Sequence, residues 1–347
     1  MSTDELIESA KAVIGAGQKD DYTLAPTKHA ASLEAQAPAL CKILRGSQLK
    51  TSGSEYERKD ADANQAESVF KEVAGKANWA VFVTACLSAA LLVVASLGNK
   101  SHWLFVALGC CGIASGAVGS MWLFEIRQGN LFQAWMNRRA RAEAERVRYF
   151  ELVTQAAANS PTSEIPLPLL QLEYFRRYQL DVQRTYYRRR GQEHKQAADR
   201  LLTLGAHAAG LGALATGFAG VLGGVLKPQW GSLAGLATVA AALSAFTATR
   251  EALSQHRRNE ELYGKTNEAL AEFEGKLDEV RVAAANGDRE SVNQFVAAVH
   301  EQLTIEHKQW LDVTENTAAS LANLDKALAD AQSKLADSNK KPADSRS

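Results

Sequence analysis

Apolar residues gather in four runs, Ala77–Leu97, Trp103–Phe124, Leu201–Leu226 and Trp230–Thr249, and charged residues fill the segments between them. None of the four holds an Asp, Glu, Lys or Arg. At a rise of about 1.5 Å per residue, about 20 helical residues cross a hydrocarbon core of roughly 30 Å. Each run has that reach. Gly98–His102 joins the first two and Lys227–Gln229 the last two, links so short that each pair must turn back on itself. The pattern predicts an all-α integral membrane protein with four transmembrane helices in two antiparallel hairpins. Alanine and glycine dilute the third and fourth runs, which leaves helices buried in a soluble core as the competing reading.

The flanks predict an orientation. Trp79, Trp103 and Trp230 lie near run ends, where amphipathic rings favour the headgroup zone. Lys71, Lys76, Arg127, Arg138, Arg139, Arg188, Arg189, Arg190, Lys195, Arg200, Arg250, Arg257 and Arg258 crowd the outer ends, against only Lys100 and Lys227 in the hairpin links. The positive-inside rule then places both termini and the central segment in the cytoplasm.

The remainder reads as helix. Residues 125–158 and 250–285 contain no proline, so long helices are expected to continue directly from the second and fourth runs. Leu262, Thr266, Leu270, Phe273, Leu277, Val280 and Ala284 follow three-four spacing and mark one buried stripe. A second seam, Leu303, Trp310, Thr314, Thr317, Leu321, Leu324, Leu328, Ala331 and Leu335, has coiled-coil steps and can pack on the chain's own helices or on a second copy. The expected organisation is a polar segment over 1–64 with two short helices and a first two-span unit over 65–159. A proline-bearing linker at 160–168 leads to a second two-span unit over 169–337 and a disordered tail at 338–347.

Small residues recur inside the runs at helical spacing. Gly109, Gly112, Gly116 and Gly119 line one face of the second; Gly210, Ala213, Gly217, Gly220 and Gly224 do so in the third. Ala234, Ala237, Ala241, Ser244 and Ala248 repeat the pattern in the fourth. In lipid, close backbone approach holds helices together, so such faces are expected to pack within one subunit or to form a rearrangeable interface between subunits, through which a pore can open. His207, the one histidine inside a run, is either an intramembrane polar site or an interfacial, hydrogen-bonded residue.

Lys and Arg balance Asp and Glu at 39 each, which removes any bulk attraction to nucleic acid. Arg188–Arg190 beside Tyr186 and Tyr187 precedes the third run by about a dozen residues, and anionic lipid headgroups suit it better than a nucleic acid. Cys41, Cys86, Cys110 and Cys111 have neither zinc-site nor disulfide spacing, and the N-terminus lacks the basic and apolar regions of a cleavable signal. Glu306-His307 has no second histidine four residues on, and no glycine-rich phosphate loop follows a strand. The expectation is therefore no enzyme, no cofactor and no metal.

Three segments carry a family resemblance. The first runs Trp135-Met-Asn-Arg-Arg139-Ala-Arg-Ala-Glu143-Ala-Glu-Arg146-Val-Arg-Tyr149. The second pairs Tyr174-Phe-Arg-Arg177 with Asp181-Val-Gln183-Arg-Thr-Tyr186-Tyr187; the third pairs Phe295-Val-Ala-Ala-Val with Glu306-His307-Lys-Gln-Trp310. Their order over roughly residues 65–312 resembles the SLATT superfamily, and in particular its longer members that fuse two two-span units. His300 stands where an acidic residue is expected about six positions before Glu306. The resemblance implies a bacterial inner-membrane effector of an anti-phage, nucleotide-signalling system that oligomerises and permeabilises the membrane when triggered. Because the chain shows no recognisable nucleotide-sensing domain of its own, it also implies a signalling nucleotidyltransferase or a nucleotide-sensing protein as partner, or else a sensing pocket formed by the cytosolic helices. Arg139, Glu143, Arg146, Arg177, Asp181 and Gln183 lie on helices expected to continue into or out of the runs, and paired charges there can latch a closed bundle or simply hold helices in register. Competing classes are a non-conducting membrane scaffold and a housekeeping transporter; the absence of proline-broken spans and buried charge pairs argues against the last.

Overall fold

The computed structural model describes residues 1–96, 102–158, 164–225, 233–311 and 326. Among these residues every regular element is helical and none is a strand. In chain order the helices are α1 (Thr3–Ile14), α2 (Pro26–Leu33), α3 (Pro38–Leu44), α4 (Ser47–Ser96), α5 (His102–Gln128) and α6 (Leu131–Gln155). They continue with α7 (Leu167–Phe175), a π-helical turn (Arg176–Asp181), α8 (Val182–Val225), α9 (Leu233–Ser254), α10 (His256–Ala285) and α11 (Arg289–Leu311). A short 3-10 helix, Lys19–Tyr22, lies between α1 and α2.

The chain forms two compact units that interleave in sequence. The first gathers Met1–Ala66, Ala134–Glu193 and Arg258–Asp312. The second gathers Glu67–Gln133 and His194–Arg257, together with a C-terminal stretch that, apart from Lys326, lies outside the described residues.

The first unit is built around α7. Pro168 sits in its first turn, where a missing N–H costs nothing, and Leu169 to Phe175 are all buried. A helix buried on every face needs neighbours on every side. Ile7, Ala10 and Ile14 of α1, Leu33 of α2, Leu40 and Leu44 of α3, and Leu270, Leu277, Val292 and Val299 of α10 and α11 belong to the same core. Residues 1–44 therefore hold three helices and a 3-10 turn where the sequence pattern gave two short helices. The start of α1 is fixed by a reciprocal cap, in which the Glu5 N–H donates to Ser2 Oγ and the Ser2 N–H to Glu5 Oε2. The stripe on α10 is present as read from its spacing: Thr266, Leu270, Leu277 and Ala284 are buried, and Phe273 and Val280 pack against the core. Gly287, at φ +86°, ends the helix after Asn286.

In the second unit many large apolar side chains are exposed. Large apolar groups face outward: Trp103, Ile113, Met121 and Phe124 on α5, and Leu202, Leu211, Leu214, Phe218 and Val221 on α8. The inside holds small and hydroxylated residues such as Ala77, Thr84, Ser88 and Ala89 together with larger ones such as Phe70, Leu91, Leu123 and Phe246. Three stretches are long and apolar enough to cross a membrane: Ser47–Leu91, Trp103–Gln155 and Leu167–Val221. The apolar part of α9 among the described residues is the shorter Ala237–Ala248, and the loops expected to close both hairpins lie outside those residues.

The helices after the second and fourth runs are not continuous, contrary to the expectation from absent prolines. Asn130 (φ 43°) separates α5 from α6, and Gln255 (φ 50°) separates α9 from α10. Each is a left-handed residue whose N–H reaches back into the finished helix, Asn130 to Arg127 O (3.2 Å) and Gln255 to Glu251 O (2.6 Å). Gly129-Asn130 is a helix-stop pair legible in the sequence. Gln255 carries no such signal.

Candidate functional site

Within the second unit, α4 and α5 pack antiparallel. Phe70 meets Phe132 (5.3 Å between ring centroids), the Lys76 ammonium sits 4.8 Å from the Trp122 ring, and Ser115 Oγ donates to the Ala80 carbonyl at 3.1 Å. Gly109, Gly112, Gly116 and Gly119 are all buried, and Leu123 and Ile126 continue the line in the same three-four steps. The residues between them, such as Ile113, Val118 and Met121, are exposed.

The α8–α9 pair uses a different face from the one the glycine spacing marked. Gly205, Ala208, Gly212, Ala215 and Ala219 form the covered line of α8. A Cβ on Gly205 would lie 2.8 Å from Thr247 Oγ1, and one on Gly212 3.0 Å from Ala240 Cβ. Ser244 Oγ donates to the Gly205 carbonyl at 3.2 Å. Gly210, Gly217 and Gly220 are exposed, a Cβ on any of them would meet nothing within 4 Å, and Ala213 shares their face. The two lines are offset by two residues, roughly 200° around the axis, so they lie on opposite faces. On α9, Ser244 lies in the contact while Ala241 and Ala248 are exposed. Gly224 and Ala234 lie in helices, but their surroundings are outside the described residues. His207 is exposed on α8. Phe246 of α9 is buried against Trp79 (5.1 Å) and Phe82 (5.0 Å) of α4.

The first unit concentrates the charged motif residues into buried networks. Arg146 on α6 is fully buried. Its Nε donates to Gln179 Oε1 (2.6 Å), Nη1 to the Tyr22 carbonyl (3.0 Å) and the Tyr56 hydroxyl (3.1 Å), and Nη2 to the Tyr178 carbonyl (2.8 Å). The rings of Tyr22, Tyr56 and Phe150 lie 4.8, 5.3 and 5.7 Å from its guanidinium carbon. Two turns earlier, Arg139 pairs with Asp60 at 2.8 Å and Glu143 at 2.5 Å and donates to the Tyr22 hydroxyl at 3.0 Å.

The π turn widens the helix enough to aim two consecutive arginines at the end of α1. Arg176 donates to the Gly15 carbonyl (3.0 Å) and pairs with Asp181 and Glu173, each at 2.6 Å. Arg177 clamps Asp21 through two bonds of 2.8 and 3.1 Å and donates to the Ile14 carbonyl. Arg281 of α10 reaches the other oxygen of Glu173 at 2.6 Å, so this fully buried carboxylate is held by two guanidiniums. Burial raises the Asp181 carboxyl above its ordinary value despite Arg176 beside it. Nearby, His29 Nδ1, the Tyr174 hydroxyl and the Tyr149 hydroxyl form a buried chain with spacings of 2.7 and 2.8 Å. Burial drives His29 down to about 4, and does the same to His300.

Residues 175–310 match the family model SLATT_1, the SMODS and SLOG-associating 2TM effector domain 1. Residues 175–310 form a SLATT domain. No curated protein and no solved structure matches the chain. The SLATT domain takes in the π turn, α8, α9, α10 and most of α11, so the α8–α9 pair is its two-helix element. The resemblance read over 65–174 falls outside the matched interval. A 2TM effector domain and three membrane-length apolar stretches together point to a membrane location and a general effector role.

Inside the SLATT domain, Arg177 and Asp181 occupy the networks above, Gln183 is buried, and Tyr187 packs on Tyr263 at 5.6 Å. Glu306, His307 and Trp310 lie on α11, with side chains outside the described residues, as is most of the second seam. Outside the domain, Arg139, Glu143 and Arg146 share one network, and Trp135 is half-buried on α6. The sequence reading missed Asp21, Tyr22, Tyr56 and Asp60, which supply the partners of the motif arginines, and the Glu173–Arg281 pair. Nothing in local spacing marks them, because the pairs lie 79 to 156 residues apart. Among the described residues no group of three or more His, Cys, Asp and Glu can hold a metal ion.

Proposed function

We propose that this chain is a non-enzymatic effector of the bacterial inner membrane that oligomerises and permeabilises or depolarises the membrane when a nucleotide-signalling defence system triggers it. In this reading four helices span the bilayer as two hairpins, both termini are cytoplasmic, and residues 65–159 are a second, diverged two-span unit. The observation that carries the reading is the outward apolar face of the SLATT helix pair. Leu202, Leu211, Leu214 and Phe218 are exposed on α8, beside an uncovered glycine line at Gly210, Gly217 and Gly220. Lipid accommodates the first set, and the second permits another helix to approach closely. The trigger is a signalling nucleotidyltransferase or a nucleotide-sensing partner.

The test is inducible expression in bacteria, alone and with a co-expressed SMODS-type signalling nucleotidyltransferase, read by a potential-sensitive dye and by growth. Loss of potential within minutes of triggering supports the effector; growth arrest with potential intact favours a non-conducting scaffold that recruits a partner.

A further inference from the structure

In the first unit, α7 has α6 on one side and α10 on the other. Gln171 donates to the Val153 and Ala156 carbonyls at the end of α6, at 2.6 and 2.8 Å, and Glu173, two residues on, accepts from Arg281 of α10. Two residues are about 200° of helix, so these partners lie on opposite sides. The same contacts give heights. Arg146 of α6 meets Gln179, which falls between Glu173, level with Arg281, and Tyr187, level with Tyr263. Helices α6 and α10 therefore run parallel, with Arg141 near the height of Glu268 and Arg148 between those of Glu272 and Glu279.

The outward faces of these two helices carry opposite charge. On α6, Asn137, Arg141, Ala144 and Arg148 are exposed at three-four spacing, with Arg138 on the flank and Glu151 at the far end beside His300. On α10, Glu261, Glu268, Glu272, Gly275 and Glu279 are exposed along one line that also holds Lys265, while Lys276 leans over the Phe273 ring at 5.7 Å. Exposed charges elsewhere pair along their own helices, as in Glu8–Lys11, Glu55–Arg58 and Glu72–Lys76. Among the described residues none of Arg138, Arg141, Glu268, Glu272 and Glu279 has an ion pair. Arg148 lies 3.9 Å from Glu145, a carboxylate already held by Lys59 at 2.8 Å. Glu268 and Glu272 stand four apart, where like charges on a helix repel.

We propose that α6 of one copy docks on α10 of the next, Arg141 and Arg148 against Glu268 and Glu272, joining the first units of neighbouring copies head to tail. A second copy fits because the two faces are complementary in charge and agree in height, and copies set in one bilayer share a plane. Faces on opposite sides of α7 make the contact heterologous, the kind that closes rings. The inference rests on the oligomerising reading above. The contact needs no trigger, since both faces are already exposed.

The experiment uses the full chain in lipid vesicles at about 50 mM salt, with benzoylphenylalanine in place of Ala144 as a photo-cross-linker. Light is expected to give a two-copy band whose captured peptide lies on α10, and about 0.5 M salt should cut that band about fivefold. Arg141→Glu with Arg148→Glu, or Glu268→Lys with Glu272→Lys, should each weaken it about tenfold. Mixing the two reversed chains restores opposite charge between them, so the band should return to at least about half its parent strength. A parent without the band, capture of a segment other than α10, reversed chains that cross-link as well as the parent, or no recovery in the mixture would each overturn the proposal. A parent that cross-links as expected yet keeps its membrane potential when triggered counts against the effector reading and leaves this contact standing.

Discussion

Arg146 directs four hydrogen bonds to uncharged oxygens, and among the described residues no carboxylate is paired with it. Its charge is held by carbonyls, a hydroxyl, an amide and three ring faces, so its removal would orphan several buried acceptors at once. Arg146→Met is expected to destabilise the first unit by about 3–5 kcal/mol, and Arg146→Lys to recover less than half of that, since an ammonium cannot reproduce the planar fork. Thermal unfolding followed by circular dichroism checks both; a shift of a degree or two in Tm would show the network to be dispensable. His29 and His300 contribute to the response to acid. Both are buried and titrate at about 4 when folded, against 6.5 when unfolded. Protons therefore bind the unfolded chain more tightly. The stability from keeping each ring neutral is complete above about pH 6.5 and lost as pH falls toward 4, up to roughly 3 kcal/mol per histidine. A double His29→Gln, His300→Gln variant should flatten the profile of Tm against pH across that window. At this scale the sequence was informative about which arginines matter and silent about their partners. Asp21 and Asp60 sit in an unremarkable polar stretch, and only the folded chain brings them within reach of Arg177 and Arg139.

Among the helices, the spacing of small residues was legible and its meaning was not. On α5 one glycine line exists and it is the buried one. On α8 two lines of small residues run along opposite faces, and their spacing is the same. What chooses between them is the partner: Ala240, Ser244 and Thr247 of α9 leave room only where α8 offers Gly205, Ala208 and Gly212. Gly205→Leu and Gly212→Leu are accordingly expected to separate α8 from α9, measurable as loss of disulfide cross-linking between cysteines introduced at Ala208 and Ser244. Gly217→Leu should leave that cross-link intact, because its added side chain meets nothing in the same chain. If Gly217→Leu abolishes the cross-link as readily as Gly205→Leu, the pairing described here is wrong.

For the molecule as a whole, the outward placement of Trp103, Phe124, Leu202, Leu211 and Phe218 predicts dependence on detergent or lipid. Stripped of detergent, the purified chain should aggregate; a monodisperse species in plain buffer would remove the membrane assignment. The apolar runs were plain in the sequence because a run of about 20 uncharged residues has few other uses. The interleaving of the two units was not, since it depends on charges and aromatic rings that meet across 79 to 156 residues. Nor was the core role of α1 to α3: the buried residues of α1 and α2 are scattered among polar ones, and the apolar run of α3 is only the short Pro38–Leu44.

The left-handed residues Asn130 and Gln255 make the helices mechanically unlike. Both α4 and α8 run unbroken, so the azimuth of one end dictates that of the other, and a single inserted residue would turn everything beyond it by about 100°. At Asn130 and Gln255 the helical ladder stops, so the phase of α6 is not dictated by α5, nor that of α10 by α9. This protein is therefore expected to tolerate inserted residues unequally along its helices. An alanine inserted at residue 200 should cripple it, while one inserted beside Asn130 should be absorbed.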